Sequence, residues 1–172
     1  MNALVIYESM WGNTRAVAEA VARGVGPGVR AIDVGDAPAI LPRDVDLLVI
    51  GGPTHAFSMS RESTRQDAVQ RGAPPGHEHG GIREWLDGQA PADHVDVATF
   101  DTRVAKVRKL PGSAAKSAAK SVRRHRLGRL VGSESFYVDD MEGPLLDGEL
   151  DRARAWGAEL ARGHPEGRAS AR

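Results

Sequence analysis

Short apolar runs alternate with helix-favouring stretches along most of the chain. The runs have the length of buried strands and cover residues 3–7, 29–34, 45–50, 95–100 and 130–138. Helical patterns lie between and after them, in residues 16–24, 61–71, 82–86, 113–126 and 150–162. Strands that alternate with helices are typical of a parallel sheet covered on both faces. We therefore predict an α/β fold with a doubly wound, five-stranded parallel sheet, because right-handed crossovers leave few other topologies.

Two segments lack this regularity. Residues 54–80 contain one polar stretch that suits an exposed helix and one Gly- and Pro-rich stretch that favours neither helix nor strand, so we interpret them as a surface excursion. Gly, Pro, Arg and Ser dominate residues 163–172, which we predict to be a disordered tail. A domain of residues 1–162 remains, without an internal repeat.

The amino-acid composition indicates a globular protein and excludes several kinds of chemistry. The chain has 172 residues, 23 Lys+Arg against 23 Asp+Glu, 41% hydrophobic residues and no cysteine. This profile is that of one ordinary globular domain. No apolar run approaches the roughly 18 residues of a membrane span, and no basic leader precedes the first strand, so we expect a cytoplasmic protein without a membrane partner. Without cysteine, redox chemistry would need an organic cofactor.

The residues that follow the first strand suggest an anion site. In doubly wound sheets, ligands bind beyond the carboxyl ends of the strands. Residues 9–14 place two hydroxyls, an amide and a glycine at a helix N-terminus, where free N–H groups face outward. With no lysine there, the segment suits the single phosphate of a mononucleotide better than a polyphosphate. The alternative is that Ser9 and Asn13 only cap the helix.

The order of elements and four short motifs resemble the flavodoxin-like family, which binds FMN. The motifs are Ser9-x-x-Gly12-Asn13-Thr14, Gly51-Gly52-Pro53-Thr54, Phe100-Asp101-Thr102, and Phe136-Tyr137 with Gly143-Pro144-Leu145. The resemblance spans residues 3–162 and implies the strand order 2-1-3-4-5, bound FMN and a redox function. It implies a phosphate loop of Ser9, Met10, Trp11, Gly12, Asn13 and Thr14. It implies ring contacts from Pro53, Thr54, His55, Ala56 and Phe57 on one side and from Phe100, Asp101, Thr102 and Arg103 on the other.

This chain departs from the family in residue type at two places. The phosphate loop commonly carries a further hydroxyl where Trp11 stands here, so the indole N–H is a candidate replacement. The family often stacks the ring between aromatic side chains, whereas Phe57 is the one candidate here, with a packing role as its alternative. Stacking contributes roughly 1–3 kcal/mol per ring, by analogy with base–aromatic contacts. We therefore expect FMN to be held less tightly.

Net charge is the third departure. Low-potential carriers of the family are usually acidic, which disfavours an anionic reduced flavin, whereas this chain is neutral. A cation about 4 Å from the ring is worth up to about 4 kcal/mol at an effective dielectric of 20. If Arg103 faces the ring, two-electron chemistry is favoured. If it pairs with Asp101 or points to solvent, that argument lapses, and the sequence leaves both possibilities open.

Positive charge is concentrated in residues 103–129, a stretch without any carboxylate. Its cations are Arg103, Lys106, Arg108, Lys109, Lys116, Lys120, Arg123, Arg124, Arg126 and Arg129. A solvated helix face is one interpretation. Docking of an acidic partner protein or an anionic substrate is another, because the segment begins at the ring contacts that the resemblance implies for residues 100–103. Nucleic acid ranks lower, because no aromatic residues are interleaved with the cations.

Histidines occur at two places where they could be reactive. The segment His77-Glu78-His79 has metal-binding residue types but lacks a further ligand, so we interpret it as a loop. His55 belongs to residues 53–57, which the resemblance places on one side of the ring, and an imidazole there could deliver a proton. A plain loop hydrogen bond is its alternative.

We therefore expect an FMN-binding redox protein. It would be an electron carrier or a small FMN-dependent reductase that acts with a protein or a quinone-like small molecule. One alternative is a binding or scaffold module that keeps the fold without flavin. The other is a nucleic-acid or anionic-surface binder that uses residues 103–129.

Overall fold

The structure is a computed structural model and describes residues 1–163. Its strands are β1 (Ala3–Tyr7), β2 (Ala31–Asp33), β3 (Leu47–His55), β4 (Ser58–Met59), β5 (Ala92–Val104) and β6 (Leu127–Val138). Its helices are α1 (Asn13–Val25), α2 (Glu62–Gln70), α3 (Ile82–Asp87), α4 (Ala114–His125) and α5 (Glu149–Gly163). The predicted tail of residues 163–172 lies outside the described residues, apart from Gly163 at the end of α5.

The central sheet is parallel and has the strand order β2-β1-β3-β5-β6. This confirms the predicted order 2-1-3-4-5, since β5 and β6 are the fourth and fifth strands of the parallel series. The two-residue β4 pairs antiparallel with the end of β3 and closes a hairpin that the apolar pattern does not predict. Because β1, β3 and β5 are adjacent and parallel, their carboxyl ends meet at one edge of the sheet.

Two predicted strand ends are wrong. The apolar runs end at residues 50 and 100, but β3 continues to His55 and β5 continues to Val104. The extended backbone pairs are Gly51 with Phe100, Gly52 with Asp101 and Pro53 with Thr102. Gly, Pro and Asp favour turns locally, yet pairing with a neighbouring parallel strand outweighs that preference. The ends of β2 and β6 differ less, with β6 beginning at Leu127 rather than at residue 130.

Each face of the sheet has its own apolar core. One core packs α3 and α4 against side chains such as Leu48, Ile50 and Val97. The other packs α1 and α5 against Val5, Val49 and the other aromatic and aliphatic side chains of that face. Both faces of the central strands are therefore buried, which explains their continuous apolar runs.

Close approach of α1 and α5 depends on glycine. A Cβ atom on Gly157 would lie 2.3 Å from the carbonyl oxygen of Val21, and one on Gly24 would lie 2.0 Å from that of Arg154. Two glycines thus let the helix backbones touch on one side of the sheet. This contact fixes α1, whose N-terminus lies at the edge where the strands end.

A helix that crosses a lipid bilayer must be both long and apolar. Within residues 1–163, no helix meets these two requirements together.

Candidate functional site

A cavity of about 240 Å³ opens at the carboxyl ends of β1, β3 and β5. Residues from these strand ends, from α2 and from the segment after β6 line it. The lining residues are Ser9, Trp11, Asn13, Thr14, Pro53, Thr54, His55, Ala56, Thr64, Asp67, Ala68, Arg71, Thr102, Arg103, Val104, Val138 and Met141. The predicted sites after the first, third and fourth strands therefore converge on one cavity.

Not every predicted residue lines this cavity. Five of them are absent from its walls, namely Met10, Gly12, Phe57, Phe100 and Asp101. Gly12 still shapes the site, because it is the N-cap of α1 and has left-handed backbone at φ 91°. Met10, Phe100 and Asp101 are held by the packing or hydrogen bonds described below, and Phe57 is exposed.

The turn before α1 presents free backbone donors. The Gly12 N–H donates to Ser9 Oγ at 3.1 Å, and the helical hydrogen bonds begin with Ala16 N–H to Gly12 O at 3.0 Å. Among the described residues, the N–H groups of Asn13, Thr14 and Arg15 have no acceptor. Three such donors at the positive end of a helix dipole form a site for an anion.

Two of the three side chains of this turn that carry a hydroxyl or an amide, those of Asn13 and Thr14, are hydrogen-bonded to other segments. Asn13 Nδ2 donates to the carbonyl oxygen of Glu142 at 2.9 Å, which ties α1 to the segment after β6. Thr14 Oγ1 and Thr102 Oγ1 are 2.7 Å apart in a buried hydrogen bond between α1 and β5. Both side chains already have a partner, whereas the backbone N–H groups of Asn13, Thr14 and Arg15 have none among the described residues.

Trp11 links the turn to α2. Met10 is buried with Ala68 and Ala73, and Trp11 packs against this small cluster while it also lines the cavity. The indole N–H has no hydrogen-bond partner among the described residues. Helix α2 is a part of the site that the sequence does not predict, because its polar pattern carries no signal for the packing of Met10 and Trp11 against it.

The hairpin of β3 and β4 forms a second wall. Thr54 Oγ1 accepts a hydrogen bond from Ala114 N–H at 2.9 Å, which fixes the hairpin to the start of α4. Ala56 and Phe57 both have left-handed backbone, at φ 46° and 63°. Such strain at non-glycine residues costs on the order of 1–3 kcal/mol and is concentrated at functional sites. Phe57 is 47% exposed and lies outside the cavity wall.

His55 lies in the same hairpin and lines the cavity. Burial lowers the pKa of His55, and the positive charge of Arg65 lowers it further. The imidazole is therefore held in its neutral form at neutral pH, in which one ring nitrogen is a donor and the other an acceptor.

Position along β5, rather than the face of the strand, decides which of its side chains reach the cavity. Phe100 is 1% exposed and packs edge-on against Phe136 and Trp156, in the core below α1 and α5. Asp101 Oδ2 accepts a hydrogen bond from Ala115 N–H at 2.8 Å, at the N-terminus of α4. Thr102 and Arg103, nearer the strand end, line the cavity.

The Arg103 side chain neither pairs with Asp101 nor points to solvent, the two possibilities that would have removed its effect on the ring. It is 5% exposed, and its Nη2 donates to the carbonyl oxygens of Val107 at 3.0 Å and Leu110 at 3.3 Å. No carboxylate lies within ion-pair distance of it in residues 1–163, and its buried Nε has no hydrogen-bond partner there. The guanidinium is thus neither paired with Asp101 nor directed to solvent.

A buried polar network supports the hairpin from below. Arg65, fully buried, donates to Ser60 Oγ at 2.8 Å and to Glu84 Oε1 at 3.0 Å. Ser60 Oγ donates to Glu8 Oε1, and Glu8 Oε2 accepts from Ile82 N–H at 2.9 Å. Burial raises the pKa of the Glu8 carboxyl, although both hydrogen bonds and the Arg65 charge oppose the shift.

The histidines of residues 77–79 do not share a site. His77 Nε2 lies 3.3 Å from Asp33 Oδ2, and His79 Nδ1 lies 3.1 Å from Glu62 Oε1. The hydrogen bond to Asp33 raises the pKa of His77. No group of three or more potential metal ligands occurs in the described chain.

Comparison with family models gives no match to this chain, and comparison with curated proteins gives none either. Solved structures do match it over nearly its whole length. A flavodoxin from the domain Archaea superposes with a TM-score of 0.60 at 18% identity, covering 95% of this chain and 98% of that one. Flavodoxin 1 from Bacillus cereus gives 0.63 at 18% identity, covering 94% and 98%.

A flavodoxin, WrbA-like protein from Agrobacterium tumefaciens gives a TM-score of 0.55 at 20% identity, covering 95% of this chain and 99% of that one. Identities this low speak to the fold alone. The strand order, the cavity beyond the strand ends and these superpositions agree with one another. The protein therefore has a flavodoxin-like fold.

Proposed function

We propose that this protein binds FMN in the cavity at the strand ends and acts in the cytoplasm as a redox protein. One observation carries the proposal: three free N–H groups at the N-terminus of α1 adjoin a cavity walled by β3 and β5. The structural neighbours, which are flavodoxins, support it at the level of the fold. When bound, FMN would supply electron transfer, in steps of one or two electrons.

The residues of the site fit the parts of FMN. The N–H groups of Asn13, Thr14 and Arg15 would hold the phosphate by hydrogen bonds without a charged side chain. The residues Thr54–Ala56 of the hairpin and the end of β5 would flank the ring system. The buried guanidinium of Arg103, with an unsatisfied Nε, is a donor that a polar ring edge would satisfy.

Binding of FMN to purified protein should quench flavin fluorescence, and Gly12→Val should weaken this binding at least about 100-fold, which is about 2.7 kcal/mol. Gly12 has φ +91°, and a Cβ atom on it would have nothing within 4 Å. Valine would therefore strain the turn and extend into open space beside the free N–H groups. Fluorescence titration measures the affinity.

Gly28→Val is the matched control, because Gly28 also has positive φ, at +86°, with nothing within 4 Å, but lies after α1. It should lose comparable stability and keep FMN affinity. Equal affinity of both variants would place the phosphate elsewhere. Absence of quenching by the unsubstituted protein at micromolar concentrations would favour the alternative of a flavin-free binding or scaffold module.

We further propose that the electron acceptor is an acidic protein or a small anionic or quinone-like molecule that approaches over the segment after β5. Lys106, Arg108 and Lys109 are exposed and form no ion pair within residues 1–163. Arg103 holds this segment beside the cavity through its hydrogen bonds to Val107 and Leu110. Cations of this kind steer acidic partners at low ionic strength.

Oxidation of the reduced, FMN-loaded protein by ferricyanide should slow severalfold as salt increases, and oxidation by hexaamminecobalt(III) should accelerate. Replacing Lys106, Arg108 and Lys109 together with glutamine should remove most of both dependences. The triple control Lys120→Gln, Arg123→Gln and Arg126→Gln alters the far end of α4 and should leave them nearly unchanged. Identical behaviour of the two triple variants would exclude this approach route, and salt-sensitive DNA binding by the same segment would support nucleic acid instead.

A further inference from the structure

Arg103 is a buried cation that forms no ion pair within the described residues. It is 5% exposed, it lines the cavity, and no carboxylate within the described chain lies in ion-pair distance of it. Its two carbonyl contacts use Nη2, while Nε has no partner. An isolated buried charge is strongly unfavourable, so proteins pair such groups or use them for ligands.

The acidic residue closest in sequence forms no ion pair with this charge. Asp101 is two residues earlier on β5, so the two side chains leave the same side of the strand. However, Asp101 is fully buried against α4, where its Oδ2 accepts from Ala115 N–H. Oδ1 of Asp101 is, like Nε of Arg103, buried without a hydrogen-bond partner among residues 1–163. The two side chains therefore form no hydrogen bond with each other, and Nε of Arg103 remains available to a ligand in the cavity.

We infer that Arg103 binds the polar edge of the flavin ring and binds it more tightly when the ring is reduced. This inference rests on the proposed function, since it concerns FMN in the same cavity. Two electrons and one proton convert the neutral ring into one that carries a negative charge. Arg103 would discriminate between these two forms, because its charge interacts strongly with the anion and weakly with the neutral ring.

This preference has a consequence for the class of substrate. A site that stabilises the fully reduced ring favours transfer of two electrons together, as in reduction of a quinone-like molecule to its hydroquinone. In that reaction the flavin supplies two electrons, it is reoxidised, and the quinone takes up two protons, one from the reduced ring and one from water. Arg103 is a binding residue for the ring and takes no proton.

Burial distinguishes Arg103 from the other cations of residues 103–129. Lys106 and Lys109 are exposed, so added salt screens their effect on the ring. Arg103 is enclosed by protein, so its effect should persist at high ionic strength. A measurement in 0.5 M salt therefore isolates the contribution of Arg103.

The test compares R103Q with R103K and with K106Q, each loaded with FMN in 0.5 M salt. The readouts are the dissociation constant for oxidised FMN and the two-electron midpoint potential, titrated with dithionite. We expect R103Q to reduce the preference for reduced over oxidised FMN at least tenfold, which lowers the potential by about 30 mV. R103K should keep most of the preference, and K106Q should keep all of it.

The outcomes separate this inference from the proposed function. If R103Q binds FMN at an unchanged potential, Arg103 has no such role, while FMN binding stands. If the unsubstituted protein binds no FMN, the proposed function itself fails. R103M removes the charge and keeps most of the side-chain length, so it replaces R103Q if that variant does not fold, and the same shift is required of it.

Discussion

Replacing Gly51 with alanine is expected to lower the free energy of unfolding by about 3 kcal/mol or more, a large share of the roughly 5–15 kcal/mol that stabilises a domain. A Cβ atom on Gly51 would lie 2.0 Å from Cζ of Phe100. That ring cannot retreat easily, because it is 1% exposed and packs against Phe136 and Trp156. Urea unfolding of the purified variant measures the loss.

Gly52→Ala is the matched control for this prediction. The atoms nearest to a Cβ on Gly52 are Ile82 Cγ1 at 3.8 Å and Glu8 Cβ at 4.0 Å, which are ordinary contacts. We expect its unfolding free energy to stay within about 1 kcal/mol of the unsubstituted protein. Adding Phe100→Leu to Gly51→Ala should recover part of the loss. Similar losses for Gly51→Ala and Gly52→Ala would contradict the contact with Phe100.

Arg65→Leu is expected to cost about 3–5 kcal/mol of stability. Arg65 is fully buried and joins Ser60 to Glu84, and its charge favours the ionised carboxylate of Glu8. Its removal leaves hydrogen-bonding groups without partners below the hairpin of β3 and β4. The same variant should therefore also weaken FMN binding, because this hairpin forms one wall of the cavity.

Arg61→Leu provides the comparison, since Arg61 is exposed and its side chain forms no ion pair in the described chain. Its unfolding free energy should change by less than about 0.5 kcal/mol. Combining Arg65→Leu with Glu8→Gln should be less harmful than the sum of the single changes, because glutamine carries no charge that needs Arg65. Strict additivity would argue against coupling of Glu8 and Arg65.

The order of elements could be predicted from the sequence, because buried parallel strands leave continuous apolar runs such as residues 45–50. The ends of β3 and β5 could not. Gly51, Gly52 and Pro53 have the propensities of a turn, and their strand conformation depends on pairing with a segment about 50 residues away. Local propensity carries no information about such pairing.

The candidate site, too, has parts that the sequence predicts and parts that depend on contacts between distant segments. The contributions of Ser9, Thr54 and Arg103 follow from the general location of ligand sites at strand ends. Alternation could not have separated Thr102 and Arg103 from Phe100 and Asp101, because each face of β5 carries one residue that lines the cavity and one that does not. The role of α2 has no local signal at all, because it results from the packing of Trp11 on a helix some 50 residues later.

The hydrogen bond from Asn13 to the carbonyl oxygen of Glu142 gives the cavity a connection to a distant part of the chain. Met141, next to Glu142, also lines the cavity. A ligand group that takes the Asn13 N–H that is now bound to Glu142 must release that carbonyl. Occupancy of the cavity and the conformation of residues 139–148 are then linked equilibria, and by thermodynamic reciprocity whatever holds or frees that segment changes the affinity for the ligand by the same factor.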